Sequence, residues 1–492
     1  MAKPIIIIGA GVGGLSTAIR LANNGQKVII LEKNAQVGGK MGQITDAGFR
    51  WDTGPSVITM RHVFEDLFES VGRKLDDYIK LKPVNPLTRY FYTDGTILDA
   101  SDNISEMVAQ ISKINKHDVD GYLAYLAYAK RIHEVTGSVF IYDKPPTLTS
   151  FAKVPIRDWL KADPFRTMHG AIKSFVKSPH LQQLLGRFAT YVGGSPYLAP
   201  ATLNVIADVE LNGGVWYPEG GIYTIAEGMA RLAEELGVEI CTSTPVKQII
   251  TEQNVVQGVA LQNGRIIKAD IVVANVDVTT TYKHLLPQTK NKQKRLKQLT
   301  SYEPSCSGFI MLLGVEGDYP ELAHHNIIFS DNYPAEFDAI FKQGIPSDNP
   351  TIYISITSKT DTNHAPQGHE NWFILVNAPA LSNNYNWEEN TEQYRNLVLD
   401  RLAERGLDIR NKIRVEKIMT PIDLEQSSGA WRGALYGSSP NSKWTAFRRP
   451  HNRSKSINGL YFVGGTTHPG GGVPMVTLSG KVTSEIILED LL

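Results

Sequence analysis

The sequence predicts an α/β fold, in which a doubly wound, Rossmann-like domain is discontinuous along the chain and carries an inserted mixed α+β domain. Three observations predict it. A strand, a glycine turn and a helix open the chain, and the same three elements close it. The 492 residues are too many for one simple core, so two intertwined domains are expected.

The first element is a buried strand that runs into a glycine turn. Four consecutive isoleucines, Ile5–Ile8, are typical of a parallel strand covered on both faces. Gly9, Gly11 and Gly14, with Gly13 between them, provide a tight turn, close backbone approach to a pyrophosphate and close helix–strand packing. The N–H groups and positive dipole end of the following helix would face the phosphates. The alternative is a glycine-rich turn in an ordinary α/β unit.

The next strand ends in an acid and is followed by a second glycine pair. Glu32 comes directly after this strand, where a carboxylate can accept both ribose hydroxyls of an adenosine. Gly38 and Gly39 would let the backbone fold back over the phosphates and ribityl chain of a cofactor, which a plain nicotinamide dehydrogenase does not require. Lys40 follows them, and we interpret it either as a phosphate contact or as a solvated loop lysine.

The composition excludes several classes of function. Fifty basic and fifty acidic residues cancel, so the chain has no electrostatic footprint for nucleic acid. Two cysteines, Cys241 and Cys306, cannot build a disulfide framework, and no histidine cluster predicts a metal. The first strand begins too early for a signal peptide, and no apolar run is long enough to span a membrane. We therefore expect a cytoplasmic protein, soluble or peripheral to a membrane, of unknown oligomeric state.

The middle of the chain predicts a helical segment, a return to the first domain, and then a sheet. Arg89–Leu98 predicts a hairpin with an Asp-Gly turn at the entrance of the inserted domain. The predicted division has the first domain at 1–85, 213–298 and 431–492, and the inserted domain at 86–212 (helical part) and 299–430 (sheet part).

Both ends of the chain resemble the FAD-binding segments of the amine oxidase and phytoene desaturase superfamily. The glycine turn with Glu32 and the Gly-Gly-Lys stretch matches its start, and Phe462–Gly465 with Gly470–Pro474 is similar to the carboxy-terminal motif of bacterial phytoene desaturases. The resemblance covers essentially the whole chain and implies FAD as the cofactor. It implies further FAD contacts at Asp52, Gly54, Val246, Gly464, Gly465, Gly472, Val473 and Pro474. For Asp52 and Gly54 the alternative is a surface turn.

The segment Leu184–Tyr197 resembles a segment of carotenoid desaturases, above all of the branch that acts on 1-hydroxycarotenoids. The resemblance implies hydride transfer from an acyclic, lipophilic carotenoid to flavin and loss of a proton, here at the 3,4 bond. Thr190, Tyr191 and Ser195 would receive the substrate hydroxyl, unless they cap helices and bond the backbone. Asp158 is the candidate base, and its alternative is a solvated acid at a helix start.

Such a substrate dissolves in bilayers, so we expect a peripheral membrane contact. Other functions stay open: a phytoene or dehydrosqualene desaturase, or a carotenoid ketolase or oxygenase. Rab GDP-dissociation inhibitors share this architecture as non-catalytic escorts, so the fold alone does not establish catalysis. An amine oxidase would need aromatic rings around a cation. The intact Glu32 and Gly470–Gly472 favour an enzyme over an escort, and the carboxy-terminal motif offers His468 and Pro469 in place of such rings.

Overall fold

A computed structural model describes residues 3–137, 141–145, 161–442 and 449–492. The strands are β1 Ile5–Ile8, β2 Val28–Leu31, β3 Gln43–Asp46, β4 Phe49–Asp52, β5 Leu81–Pro83, β6 Thr88–Phe91, β7 Ile97–Ala100, β8 Trp216–Pro218, β9 Glu239–Cys241, β10 Val246–Glu252, β11 Val255–Leu261, β12 Ile266–Lys268, β13 Val272–Ala274, β14 Ser307–Glu316, β15 His325–Ile328, β16 Ile352–Ile356, β17 His369–Ala378, β18 Ile413–Met419 and β19 Leu460–Phe462. The α-helices are α1 Val12–Asn23, α2 Arg61–Glu69, α3 Ile104–Asn115, α4 Val119–Thr136, α5 Met168–Phe175, α6 Pro179–Gly186, α7 Val205–Leu211, α8 Tyr223–Glu235, α9 Val278–Thr280, α10 Lys290–Thr300, α11 Tyr333–Asp338, α12 Trp387–Glu404, α13 Pro421–Ser428 and α14 Val473–Leu491.

A five-stranded parallel sheet with strand order β19-β13-β1-β2-β9 is the centre of the first domain. Its strands come from three separated parts of the chain, so this domain is discontinuous. The chain continues from β1 to β2 on one side and reaches β13 on the other, which makes β1 a switch point. In such sheets ligands bind beyond the carboxyl ends of the strands at that point. The domain boundaries stay a prediction.

The isoleucine run of β1 is buried on both faces, as expected for a central parallel strand. Ile5 and Ile7 join a core formed with α1, α8 and α14. Ile6 and Ile8 join a second core, which packs against the antiparallel β10-β11-β12 sheet and α10. Because successive side chains of a strand alternate between faces, four apolar residues in a row supply two cores at once.

A seven-stranded sheet with order β18-β14-β17-β16-β15-β6-β7 forms the inserted domain together with helices α3 to α7. Its longest pair is β14 with β17, antiparallel from Ser307 opposite Ala378 to Glu316 opposite His369. One face of β14 packs on α12, and the other face packs on β4.

The predicted hairpin forms as β6 and β7, yet it extends the sheet instead of leading the helical part. The parallel pairing of β6 with β15, Arg89 opposite Asn326, places it there. Local sequence could predict the Asp-Gly turn but not this pairing, because the two strands are far apart along the chain.

Within the described ranges, no helix combines the length and apolarity needed to cross a bilayer. No set of three or more histidine, cysteine or carboxylate side chains within them could hold a metal ion.

Candidate functional site

A continuous cavity of about 2040 Å³ runs from the carboxyl ends of β1 and β2 to the inner face of the seven-stranded sheet. Ile8 and Leu31 border one end, while Tyr353 of β16 and Leu375 of β17 border the other. Small-molecule sites commonly measure about 300–1,000 Å³. The cavity therefore has room for a cofactor and a second large ligand side by side.

Two helices begin at this cavity without a capping side chain. The N-cap of α1 is Gly11 and that of α14 is Gly472, and neither has a side-chain hydrogen bond to the first turn. Both glycines border the cavity. The unpaired N–H groups and the positive dipole ends of two long helices converge on it, which suits an anionic diphosphate.

Glu32 lies at the carboxyl end of β2 and is buried except where it borders the cavity. Its Oε2 accepts a hydrogen bond from the Ala10 N–H at 2.8 Å, and its Oε1 accepts one from the Asn34 N–H at 2.8 Å. These two bonds fix the carboxylate. An ionised carboxylate has about four acceptor positions, so two remain for the hydroxyls of a ribose.

Backbone without side chains forms the cavity wall between the two helix ends and Glu32. Gly38 has φ +103°, and a Cβ there would lie 2.1 Å from the Met41 carbonyl oxygen. A Cβ on Gly54 would lie 1.9 Å from the Lys40 carbonyl oxygen. The Gly38 N–H donates to the Ala10 carbonyl at 2.8 Å, which ties this wall to the first glycine turn. Backbone with no side chains, uncapped helix ends and a fixed carboxylate together fit FAD.

The structure brings most predicted FAD contacts together although they come from separate parts of the chain. Those that border the cavity are Gly9, Gly11, Glu32, Gly38, Gly39, Lys40, Gly54, Val246, Gly464, Gly465, Gly472, Val473 and Pro474.

Gly13 and Gly14 do not border the cavity, and their predicted FAD contact stays a prediction. A Cβ on Gly14 would lie 2.3 Å from the Gly9 carbonyl oxygen, and one on Gly13 would lie 3.1 Å from the side chains of Val463 and Val476. Both glycines act on the packing of α1 against its neighbours, which is the packing role predicted for Gly14.

Asp52 does not border the cavity either, and the predicted FAD contact of this residue stays a prediction. Asp52 forms a two-point ion pair with Arg50, at 2.8 Å for both contacts. It also accepts hydrogen bonds from the N–H groups of Ile222 and Tyr223, each at 3.1 Å, at the start of α8. Asp52 therefore joins β4 to α8. The candidate base Asp158 lies outside the described residues.

Sequence reasoning missed three polar residues at the cavity. Asn275 follows β13 directly, and its Nδ2 donates to the Gly9 carbonyl at 3.1 Å. Asp277 comes two residues later and caps α9. Arg449 donates from Nη1 to the carbonyls of Tyr436 and Gly465, at 2.9 and 2.8 Å. For the first two, the signal was available: polar residues directly after a buried strand lie at the carboxyl edge of a sheet.

Lys40 follows the second glycine pair and borders the cavity. Its Nζ donates to the carbonyls of Leu435 and Ala434, at 2.7 and 3.4 Å. Burial lowers the pKa of Lys40 to about 8, against the opposing effect of Asp277. The structure leaves the predicted phosphate contact untested.

That pKa makes the phosphate contact testable by pH. Above about pH 8 the folded apoprotein loses the Lys40 proton, while an anionic phosphate favours the charged form, so FAD binding must take up a proton. We expect the affinity of the apoprotein for FAD to fall by up to about tenfold per pH unit above pH 8, as measured by titration. The Lys40→Met protein should show a flat profile. Coinciding profiles for the two proteins would mean that the ammonium is remote from the phosphates.

The part of the cavity inside the inserted domain is mainly apolar. Side chains that form it include Val57, Leu203, Ile206, Val209, Ile310 and Leu375. We call it the apolar compartment. Its continuity with the cofactor part allows a long hydrocarbon to lie against the cofactor with water excluded.

The three residues predicted to receive a substrate hydroxyl are placed differently from one another. Thr190 and Tyr191 border the cavity, but their hydroxyls donate to the Arg187 carbonyl and to Glu210. Ser195 is buried and does not border the cavity, and its Oγ accepts the Tyr197 N–H at 3.3 Å. Ser195 is therefore not available to a substrate, because it holds the turn after Gly193 and Gly194.

Known proteins match the chain over nearly its whole length. The family model for flavin containing amine oxidoreductases matches residues 12–488. The 4,4'-diaponeurosporene oxygenase of Staphylococcus aureus (strain MSSA476) is 38% identical over 490 residues, which cover 99% of this chain and 98% of that protein.

Solved structures match as well. An oxidoreductase from Methanosarcina mazei aligns with a TM-score of 0.63 at 17% identity, over 98% of this chain and 100% of that one. A Rab GDI from Plasmodium falciparum aligns with a TM-score of 0.53 at 14% identity, over 85% and 88%. At these identities the solved structures show a shared fold alone, and an oxidoreductase and a Rab GDI both have that fold.

Proposed function

Because the chain belongs to the family of flavin-containing amine oxidoreductases, we propose that this FAD-dependent oxidoreductase acts on an acyclic carotenoid. Membership of this family confirms the predicted FAD cofactor and the predicted α/β fold. The observation that carries the proposal is the apolar compartment continuous with the FAD site. The 38% identity to diaponeurosporene oxygenases supports it.

The chain's own residues hold and orient both molecules in this proposal. Glu32 and the uncapped ends of α1 and α14 hold the cofactor, and the compartment aligns the carotenoid and excludes water. When bound, FAD supplies the redox chemistry by taking electrons from one reactant and passing them to another.

We propose oxygenation near one end of the carotenoid as the reaction, since the full-length relatives are named oxygenases. The second candidate is the predicted 3,4-desaturation of a 1-hydroxycarotenoid, and the position of Thr190 and Tyr191 at the cavity supports it. Desaturation removes two hydrogens from the carbon chain, one as a hydride that reduces FAD and one as a proton. Oxygenation consumes O₂, two electrons and two protons, leaves one oxygen atom on the product and releases the other as water.

Product analysis separates these candidates. The purified, FAD-loaded enzyme is supplied separately with 4,4'-diaponeurosporene, phytoene and a 1-hydroxycarotenoid, with O₂ and a reductant present or absent. We expect a product that carries an additional oxygen atom from diaponeurosporene, detected by mass. A longer chromophore without added oxygen, formed from the 1-hydroxycarotenoid, would establish the desaturase instead. Turnover of none of the three would reject a carotenoid substrate.

Asp158 stays a proposed base for proton removal. If it acts in this way, the Asp158→Asn protein should lose about 10²- to 10⁴-fold in kcat with KM little changed. The Asp120→Asn protein is the control, because Asp120 is an exposed acid of α4. Equal kcat values in the two variants would leave Asp158 as a solvated acid.

We also propose that the protein binds membranes at their surface. Helix α10 carries Lys290, Lys294, Arg295 and Lys297 with no acid, and two of these, Lys294 and Arg295, border the cavity. Each lysine or arginine near an anionic lipid surface contributes about 1 kcal/mol. We expect flotation with anionic liposomes at physiological salt, weakened by Lys290→Glu with Lys297→Glu and retained after Lys113→Glu in the last turn of α3 with Lys116→Glu directly after it. A protein that stays in the soluble fraction and turns over substrate equally from detergent and liposomes would contradict this.

A further inference from the structure

A charged pair lies in the wall of the apolar compartment. Arg187 follows α6 directly and borders the cavity, and Glu210 belongs to α7 behind it. Arg187 Nη2 donates to Glu210 Oε1 at 2.6 Å, with 5% and 0% of the two side chains exposed. The hydrophobic residues packed around this pair include members of α3 to α7 and of β6.

The hydrogen bonds of this pair leave one guanidinium nitrogen for the cavity. Arg187 Nε donates to the Tyr90 hydroxyl at 2.5 Å, and the second oxygen of Glu210 accepts from the Tyr191 hydroxyl. No hydrogen bond of Nη1 to the described residues meets the usual distance and angle, although the Tyr191 hydroxyl lies near enough to the guanidinium to raise its pKa. Because Arg187 borders the cavity, we assign its N–H groups to the cavity side.

The cluster keeps this donor charged and in place. Burial alone would lower the pKa of Arg187, but the charge of Glu210 and the phenols of Tyr191 and Tyr90 raise it. The guanidinium carbon lies 4.8 Å from the ring centre of Phe188 and 5.0 Å from that of Tyr191. With its stem packed and its Nε and Nη2 occupied, the side chain presents Nη1 in a fixed direction.

A hydrocarbon that covers this nitrogen leaves a cationic donor unpaired, whereas a ligand oxygen restores its hydrogen bond. We propose that Arg187 recognises an oxygen acceptor, a hydroxyl or a carbonyl, at one end of the carotenoid. The enzyme then prefers a carotenoid that an earlier oxygenation or hydration has already given a terminal oxygen. Because Glu210 balances the charge of Arg187, the site has no net charge to favour a carboxylate. This inference rests on the carotenoid function proposed above.

Equilibrium binding tests it with three ligands of equal chain length: an acyclic carotenoid hydrocarbon, its terminal alcohol and its terminal aldehyde. Quenching of tryptophan fluorescence in the FAD-loaded protein measures each Kd. We expect the alcohol, the aldehyde or both to bind about 10- to 100-fold more tightly than the hydrocarbon. Which of the two binds more tightly identifies the end group.

The double variant Arg187→Gln with Glu210→Gln removes both charges together, so that no unpaired ion stays buried. It should bring the ratio of the Kd values close to one and leave the hydrocarbon Kd within about threefold of the wild-type value. The matched control is Arg89→Gln with Asp99→Asn, an ion pair of the β6–β7 hairpin that does not border the cavity. It should keep the wild-type ratio of Kd values.

The single variant Arg187→Lys retains the pair with Glu210 and lacks the second nitrogen of the fork. It should therefore lower the ratio of Kd values even if the double variant does not fold.

Three outcomes overturn the inference. Equal affinity of the wild-type protein for the hydrocarbon and both oxygenated ligands would contradict recognition of an oxygen by Arg187, while the proposed carotenoid function would still hold. Equal loss of affinity for all ligands in the folded variants assigns Arg187 a structural role only. Binding of none of the three ligands by the wild-type protein overturns the proposed function and this inference with it.

Discussion

The Glu32→Arg protein is expected to purify without its flavin colour. The native carboxylate accepts the N–H groups of Ala10 and Asn34 and keeps two acceptor positions toward the cavity. Arginine supplies only donors, so both N–H groups lose their acceptor and two ribose hydroxyls lose theirs. A hydrogen bond to a charged group contributes about 1.5–3 kcal/mol, and the loss of two should weaken FAD binding by more than about 100-fold.

Titration of the apoprotein with FAD measures this loss. The Glu69→Arg protein is the control, because it makes the same charge change at an exposed position at the end of α2. It should bind FAD as the wild type does. Full flavin occupancy in the Glu32→Arg protein would remove Glu32 from the cofactor site.

Replacement of Gly38 by alanine is expected to destroy the cofactor wall. Its φ of +103° disfavours any side chain, and the new Cβ would meet the Met41 carbonyl oxygen at 2.1 Å. The Met41 oxygen belongs to the backbone and an alanine Cβ has no rotamers, so no side-chain rotation can relieve the contact. The loop must move away from the Ala10 carbonyl, to which Gly38 N–H is bonded. We expect loss of flavin and a free energy of unfolding lower by at least about 3 kcal/mol.

Gly25→Ala is the matched control for this change. Gly25 also has a positive φ, +75°, but nothing lies within 4 Å of the position of its Cβ. It measures the conformational cost alone, about 1 kcal/mol, in the same domain. Thermal unfolding and bound flavin are recorded for both variants. Equal effects would show that the clash at Gly38 is relieved by backbone movement.

Sequence alone predicted those parts of the molecule that depend on neighbours along the chain. The Ile5–Ile8 strand, the glycine turn after it and the Asp-Gly hairpin all follow from local patterns, because burial on two faces, a tight turn and a left-handed position each select particular residues. Local sequence predicts the FAD site for the same reason: much of the proposed site is backbone, and only glycine leaves the backbone accessible. Glu32 is predicted by its place at the end of a strand.

Tertiary structure decided what depends on residues distant in the chain. It paired β6 with β15 and so moved the hairpin into the large sheet. It turned Asp52 toward Arg50 and α8, where the carboxylate accepts two N–H groups. The adjacent turn at 53–55 would also allow this carboxylate to face the cavity. It also set Arg187 against Glu210 with one nitrogen left for the cavity. Local patterns could not predict these contacts, because a side chain's partner depends on which elements pack together, and long-range pairing leaves no periodic signal in the sequence.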